Sequence, residues 1–391
     1  MDGPSAKLRG AMSDTPPEPP ALRVAVTLEQ CWHRVPGGTA TAALGSVRAL
    51  QRYQPQLDLV GVSAHHRAFP AAPYLPTVPV RQLPLPRLAL YESWHRLRRP
   101  AVQRATGPVD LVHVTGMAMP PPTAPLVVTV NDLVFVHEPE LFTPRGVSFF
   151  RLAIELTRRD ADLVLCPSQD AADDCVANGF DAAKIRIVPY GIELATTGED
   201  EVARVRRRFG IDGRYVMWLG TIEPRKNLAT LLQAFEQVDS DAVLVLAGPS
   251  GWNTDLAGFI GRLGRRVRPI GFVSDDDKSA LYAGAAVFCL PSRREGFGLP
   301  VLEAMAQATP VVVTQGTSMA EIVGDAADTD TEAGILVDST DAAALAAALQ
   351  ELLDDEPKRT RLGAGARRRA ATFSWARTAG LLADAYAEVA R

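Results

Sequence analysis

Two successive series of short apolar runs constrain this 391-residue chain more than any other feature. Each run ends in a turn, and most are followed by a helix-period pattern. In the first series Leu22 to Leu28, Leu57 to Ser63, Leu111 to Val114, Leu126 to Val130, Ala161 to Cys166 and Ile185 to Pro189 read as strands. Helical patterns cover Ala40 to Tyr53, Leu88 to Arg104, Val147 to Asp160 and a segment started by Ser168. The second series comprises Tyr215 to Leu219, Ala242 to Ala247, Val267 to Ile270, Val287 to Leu290, Pro310 to Val313 and Gly334 to Val337. Strands that alternate with helices lie parallel, because each needs a crossover, and the helices cover both sheet faces.

The length suits two domains, each with its own core. Two Rossmann-like, doubly wound α/β halves across a cleft are therefore expected, with ligands at the carboxyl ends of the strands. The expected divisions are a disordered tail over 1–21, a first domain over 22–192, a second over 193–372 and a last helical segment over 373–391. The tail is rich in Pro, Ala and charge and lacks the apolar core of a signal peptide.

A net charge of −4 argues against a dedicated nucleic-acid binder. The Arg clusters at Arg204 to Arg208, Arg262 to Arg268 and Arg367 to Arg369 read as solvated helix faces. Cys31, Cys166, Cys175 and Cys289 have no Cys-x-x-Cys spacing and read as buried free thiols. No apolar run reaches the roughly 18 residues of a spanning helix, so a cytoplasmic protein is expected. No Gly-x-Gly-x-x-Gly follows the first strand, and no P-loop occurs. The acid pairs Asp160/Asp162 and Asp328/Asp330 read as solvated loop acids, and no metal is expected.

Two segments carry chemistry. Glu295-Gly296-Phe297-Gly298-Leu299-Pro300-Val301-Leu302-Glu303 joins an apolar strand to a helix, with Pro300 near the first helical position. It sets one acid in a glycine-rich loop and a second eight residues on, with helix-start amides between them. Acids suit sugar hydroxyls and amides suit phosphate oxygens. Upstream, Gly220-Thr221-Ile222-Glu223-Pro224-Arg225-Lys226-Asn227 breaks a strand into a helix. Its two cations stand near a helix start, where the dipole disfavours them, so an anion nearby explains their placement better than solvation does.

Together these motifs and the order of elements resemble the large retaining glycosyltransferase family four, from about Val24 to the C-terminus. The resemblance implies the GT-B architecture, with the last helix crossing back onto the first domain. It implies that Arg225 and Lys226 bind the donor diphosphate and that Glu295 holds the transferred sugar. Glu303 would accept the ribose hydroxyls, and Phe297, Gly298 and Leu299 would offer amides. Gly271, Phe272 and Val273 would meet the nucleobase, Gly220 and Thr221 belong to the donor loop, and Gly37 and Gly38 match a flexible loop.

Two positions depart from the family. Asn131-Asp132-Leu133 stands where a His-Asp-Leu triplet is usual, and Asn cannot titrate. Ala308 replaces a helix-ending glycine and suggests a different C-cap.

Leu88, Tyr91, Trp94 and Leu97 recur at helical spacing among six arginines between Arg81 and Arg104. Core packing explains the stripe; the alternative is contact with an anionic membrane or an acceptor. The expectation is a retaining, metal-independent glycosyltransferase moving a hexose from a nucleotide sugar, GDP-mannose favoured, to a glycan or lipid-linked acceptor. Its rivals are a catalytically silent sugar-nucleotide or glycan-binding protein and an epimerase or phosphorylase of the same fold.

Overall fold

The computed structural model describes residues 22–249, 257–324 and 332–390. The expected tail over 1–21 and the pair Asp328/Asp330 lie outside them. The first half holds strands β1 (Arg23–Thr27), β2 (Asp58–Ser63), β3 (Val80–Gln82), β4 (Leu111–Val114), β5 (Leu126–Thr129), β6 (Leu163–Cys166) and β7 (Ile185–Ile187). The second holds β8 (Tyr215–Leu219), β9 (Val243–Ala247), β10 (Val267–Gly271), β11 (Val287–Leu290), β12 (Val311–Thr314) and β13 (Gly334–Val337).

The sheets run β3-β2-β1-β4-β5-β6-β7 and β10-β9-β8-β11-β12-β13, and all pairings within them are parallel. Central strands such as Val287–Leu290 are buried along their whole length, as covering on both faces requires. Pro269 lies in β10, at a sheet edge, where its missing N–H costs no pairing. The three-residue strand β3 was invisible to periodicity, being too short to show alternation.

Strand order reverses between β1 and β4 in the first half, and between β8 and β11 in the second. At such a reversal the loops diverge and leave a crevice beyond the strand ends. The loops after β8 and β11 therefore flank the crevice of the second half.

The chain passes between the halves twice at one place. Ile192 donates its N–H to Phe373 O (2.8 Å), and a Cβ on Gly191 would lie 2.3 Å from the Trp375 backbone nitrogen. From there the final helix, Trp375–Val389, packs on Gly37–Tyr53 of the first half. Ala379, Leu382, Ala385 and Tyr386 complete the first-half core. The Tyr386 hydroxyl meets the buried His113 Nδ1 (2.8 Å), whose Nε2 faces Thr129 Oγ1 (2.8 Å). Burial drives that imidazole down to about 3, so it is neutral at ordinary pH.

Three expectations need correction. Asp160 is no solvated loop acid: it ends the helix Pro144–Asp160, with its side chain 7% exposed, and pairs with Arg98 Nη2 at 2.6 Å. The helix expected over Leu88 to Arg104 spans only Arg87–Glu92, widens to a π-helical turn over Ser93–Leu97 and stops where Arg98 turns left-handed (φ 52°). Its buried stripe is Leu90 and Trp94, while Leu88 and Leu97 are 58% and 60% exposed. Ala308 does not bring a different cap, because it takes the left-handed conformation itself (φ 59°). The four cysteines are buried and free, as their spacing implies.

Candidate active site

The loop after β8 turns through Pro224–Lys226 and enters the helix Leu228–Gln237 from Asn227, which is left-handed (φ 53°). Asn tolerates that region better than most residues. Its amide is tied to Pro291 O (3.1 Å) and Ser339 O (2.6 Å), which fixes this loop against the one after β11. Arg293 N donates to Arg225 O (3.0 Å) and closes the same seam.

Three expected site residues meet here. Glu295 Oε2 accepts from Arg225 Nη1 (2.9 Å), and Glu295 Oε1 accepts from Lys226 Nζ (2.5 Å). Glu223 completes the group by accepting from Arg225 Nη2 (2.7 Å) and Nε (3.1 Å). All four side chains are at most 20% exposed.

Burial alone would raise the Glu295 carboxyl, but Arg225 and Lys226 together outweigh it and hold it at about 2. Burial lowers the Lys226 ammonium, and the attraction of Glu295, opposed by Arg225, does not fully offset this. Arg225 is pushed up despite its burial, because Glu295, Glu223 and Asp132 surround it. The acid is firmly ionised; the lysine is a paired cation whose charge burial disfavours.

Glu303 stands apart from this group. It lies on the helix Leu299–Ala306 and accepts from Lys278 Nζ (2.6 Å) and the Tyr282 hydroxyl (3.0 Å). Lys278 also pairs with Asp275 (3.2 Å) on its own helix, Asp275–Ala283. Before that helix, Gly271 is left-handed (φ 69°), Phe272 is 67% exposed and Val273 half-buried.

Gly298 begins the helix Leu299–Ala306 at φ 106°, where a Cβ would press on Met319 at 2.9 Å. Phe297 is buried between Tyr190 and Phe373. Its ring is therefore structural, and only its main chain can face a ligand.

The first half contributes at one seam. A Cβ on Gly296 would fall 2.0 Å from Asn131 O and 3.3 Å from Asp132 Cβ, so only glycine fits. Asn131 Oδ1 accepts from the Tyr190 hydroxyl (2.5 Å), and Asp132 Oδ1 accepts from Val134 N (3.3 Å). Ser168 Oγ donates to Gly296 O (2.9 Å), while Glu321 accepts from Gln169 N (2.9 Å) and Asp170 N (2.6 Å). Gly37 and Gly38 border open space, with nothing within 4 Å of a Cβ on either. Gly220 and Thr221 are half-buried, and Gly220 N donates to Ala247 O (3.0 Å). His137, six residues beyond Asn131, pairs with Asp174 (2.7 Å).

Sequence reading missed Lys278, Asp275, Tyr282, Ser168 and Glu321. Asp275 and Lys278 were findable as an i,i+3 pair; the others became visible only through packing. Among the described residues no group of three or more His, Cys, Asp or Glu side chains is placed to hold a metal ion.

Residues 36–196 match the family described as Glycosyltransferase Family 4, and residues 201–369 the family described as Glycosyl transferases group 1. A D-inositol 3-phosphate glycosyltransferase of Salinispora arenicola (strain CNS-205) is 31% identical over 324 residues, covering 74% of this chain and 71% of its own. The chain belongs to the group 1 glycosyl transferases. Within them, the O-antigen chain mannosyltransferase B of Escherichia coli is 39% identical over 168 residues, 41% of this chain and 42% of that protein. The chain spans less than two thirds of several such curated relatives. The crystal structure of Anabaena Alr3699/HepE in complex with UDP and glucose superposes with a TM-score of 0.73 at 19% identity, over 94% of this chain and 100% of that one. This group 1 glycosyl transferase thus has the GT-B fold, its two parallel-sheet halves facing each other.

Proposed function

We propose that this chain moves a hexosyl group, mannose favoured, from a nucleotide diphosphate sugar to a glycan or lipid-linked acceptor, with retention and without a metal ion. One observation carries the reading: Arg225 and Lys226 converge with Glu295 at the strand-order reversal of the second sheet.

As the anomeric C–O bond of the donor breaks, negative charge grows on the departing diphosphate. Preformed cations in a water-poor cleft stabilise that charge most in the transition state. Burial disfavours the Lys226 charge despite its pairing with Glu295, and such an anion would stabilise it. Glu295 orients the sugar hydroxyls, and the amides of Phe297, Gly298 and Leu299 face the sugar and phosphate. Gly38, Gly220, Thr221, Gly271, Phe272, Val273, Asn131, Asp132 and Glu303 complete the donor site in this proposal.

The acceptor hydroxyl attacks from the face the diphosphate leaves, forming the new C–O bond, and its proton passes to the departing phosphate oxygen. Asn131 cannot take a proton, so the reading calls for no separate base. Mannose rests on the motif wording and on the O-antigen mannosyltransferase relative.

The test is nucleotide release from a mannosyl donor, with and without acceptor, in the presence of a chelator. Acceptor-dependent release is expected, and Lys226→Ala should lower kcat by about 10²–10³-fold. Saturable binding with no acceptor-dependent release would leave a silent binding protein instead.

A membrane-bound acceptor fits the surface of the first half. Leu88 and Leu97 are exposed beside exposed Arg96 and Arg99, and no helix among the described residues is long and apolar enough to cross a membrane. Salt-sensitive co-sedimentation with anionic vesicles is expected; its absence removes this part.

A further inference from the structure

The second ion cluster differs in kind from the first. Lys278 Nζ bridges two carboxylates, Glu303 Oε1 at 2.6 Å and Asp275 Oδ1 at 3.2 Å. An ammonium has three N–H donors, so one remains for a ligand. The Asp275 carboxylate is 61% exposed and has room to accept further hydrogen bonds. Its helix follows directly on the Gly271–Val273 turn with its exposed Phe272 ring. The half-buried Tyr74 of the first half feels the charges of Asp275, Lys278 and Glu303. Through Lys278 the exposed Asp275 is thus joined directly to Glu303, the residue assigned to the ribose, which stands on the neighbouring helix Leu299–Ala306.

We propose that Asp275 and Lys278 read the donor's nucleobase and select guanine. This rests on the transferase reading of the cleft, with Glu303 toward the ribose and the Gly271–Val273 turn toward the base.

The chemistry separates the bases. Guanine presents two adjacent donors, N1–H and N2–H, which one carboxylate can accept together, and ring acceptors that an ammonium can satisfy. Uracil has a single N3–H between two carbonyl oxygens, so the carboxylate would face at least one of them. Adenine offers an unprotonated N1 and no 2-amino group. Among these three, only guanine gives one carboxylate two adjacent donors, and that bidentate contact is what the pair selects. Lys278 also spaces the two acids, because one ammonium holds both the base-reading and the ribose-binding carboxylate.

Titration calorimetry of the full chain with GDP, IDP, UDP and ADP tests this. IDP lacks only the 2-amino group of GDP. The wild type should bind GDP roughly tenfold more tightly than IDP, UDP or ADP, the discrimination of one good bidentate pair. Asp275→Ala should bring GDP down to the level of IDP while leaving UDP unchanged. Lys278→Met should weaken all four and narrow the gap between GDP and UDP. A merely structural role for Asp275 would lower GDP and UDP by the same factor, and that result overturns the proposal. Tight UDP or ADP binding by the wild type overturns the base assignment while the transferase reading stands. Failure to bind any of the four removes both.

Discussion

Replacing Glu295 by Gln deletes one buried charge and almost no volume, which isolates what the carboxylate does for the fold. The wild-type carboxyl is held at about 2 against an ordinary 4.5, so its ionisation favours the folded state by about 3 kcal/mol at neutral pH. The structure gives a second route to the magnitude. Glu295 faces both Arg225 and Lys226, and removing one partner of a buried ion pair costs about 3–5 kcal/mol. At roughly 2–4 °C per kcal/mol for a half of this size, the variant should melt about 6–12 °C lower at pH 7.

The pH dependence follows from the sign of the shift. A carboxyl depressed in the folded state contributes fully above its unfolded value and loses that contribution as the pH falls toward its folded value. Wild type and variant should therefore converge in acid, with roughly half the difference gone by pH 3. Pyrophosphate should restore part of the variant's loss by replacing the missing negative charge beside the two cations. Scanning calorimetry at pH 7 and pH 3 decides the matter. A variant melting within about 1 °C of wild type at pH 7, or a gap that persists in acid, refutes the reasoning.

Other perturbations test separate parts of the structure. Ala308→Gly should stabilise the protein by about 1 kcal/mol in denaturant titration: the left-handed turn costs alanine about 1–2 kcal/mol, and glycine gives back less than that in chain entropy. Gly363→Ala should do the reverse, because its Cβ would lie 2.2 Å from Ala308 O; overpacking of this kind costs about 1–3 kcal/mol. Glu321→Gln removes the charge that holds the start of the Gln169–Ala177 helix onto the second half. The halves should then separate more often, and small-angle scattering should give a larger radius of gyration; superimposable profiles would show that other contacts alone hold them.

Much of the second half was legible because its chemistry is local. Arg225 and Lys226 are neighbours in one strand-to-helix loop, and Glu295 follows an apolar run whose burial is plain from composition. The first half was less so. Strand β3 has three residues, and the helix beginning at Arg87 changes pitch at Ser93; neither event leaves a periodic trace. Ala308 shows the limit from another side, since its turn is dictated by the carbonyl packed on Gly363 rather than by its own preference.

Alternating runs of apolar and helix-period residues were enough to determine two parallel, doubly wound sheets, because a parallel strand has no other way to satisfy its backbone and bury both faces. Pairing was decided by tertiary structure. Which acid meets which cation, that Glu295 takes Arg225 and Lys226 while Glu303 takes Lys278, depends on strand order and on loops from separate strands converging at a reversal. Likewise, Gly296 must be glycine because Asn131 arrives from the other half of the chain. Distances of 2.5 and 2.9 Å between residues about 70 positions apart are products of packing, and no local pattern encodes them.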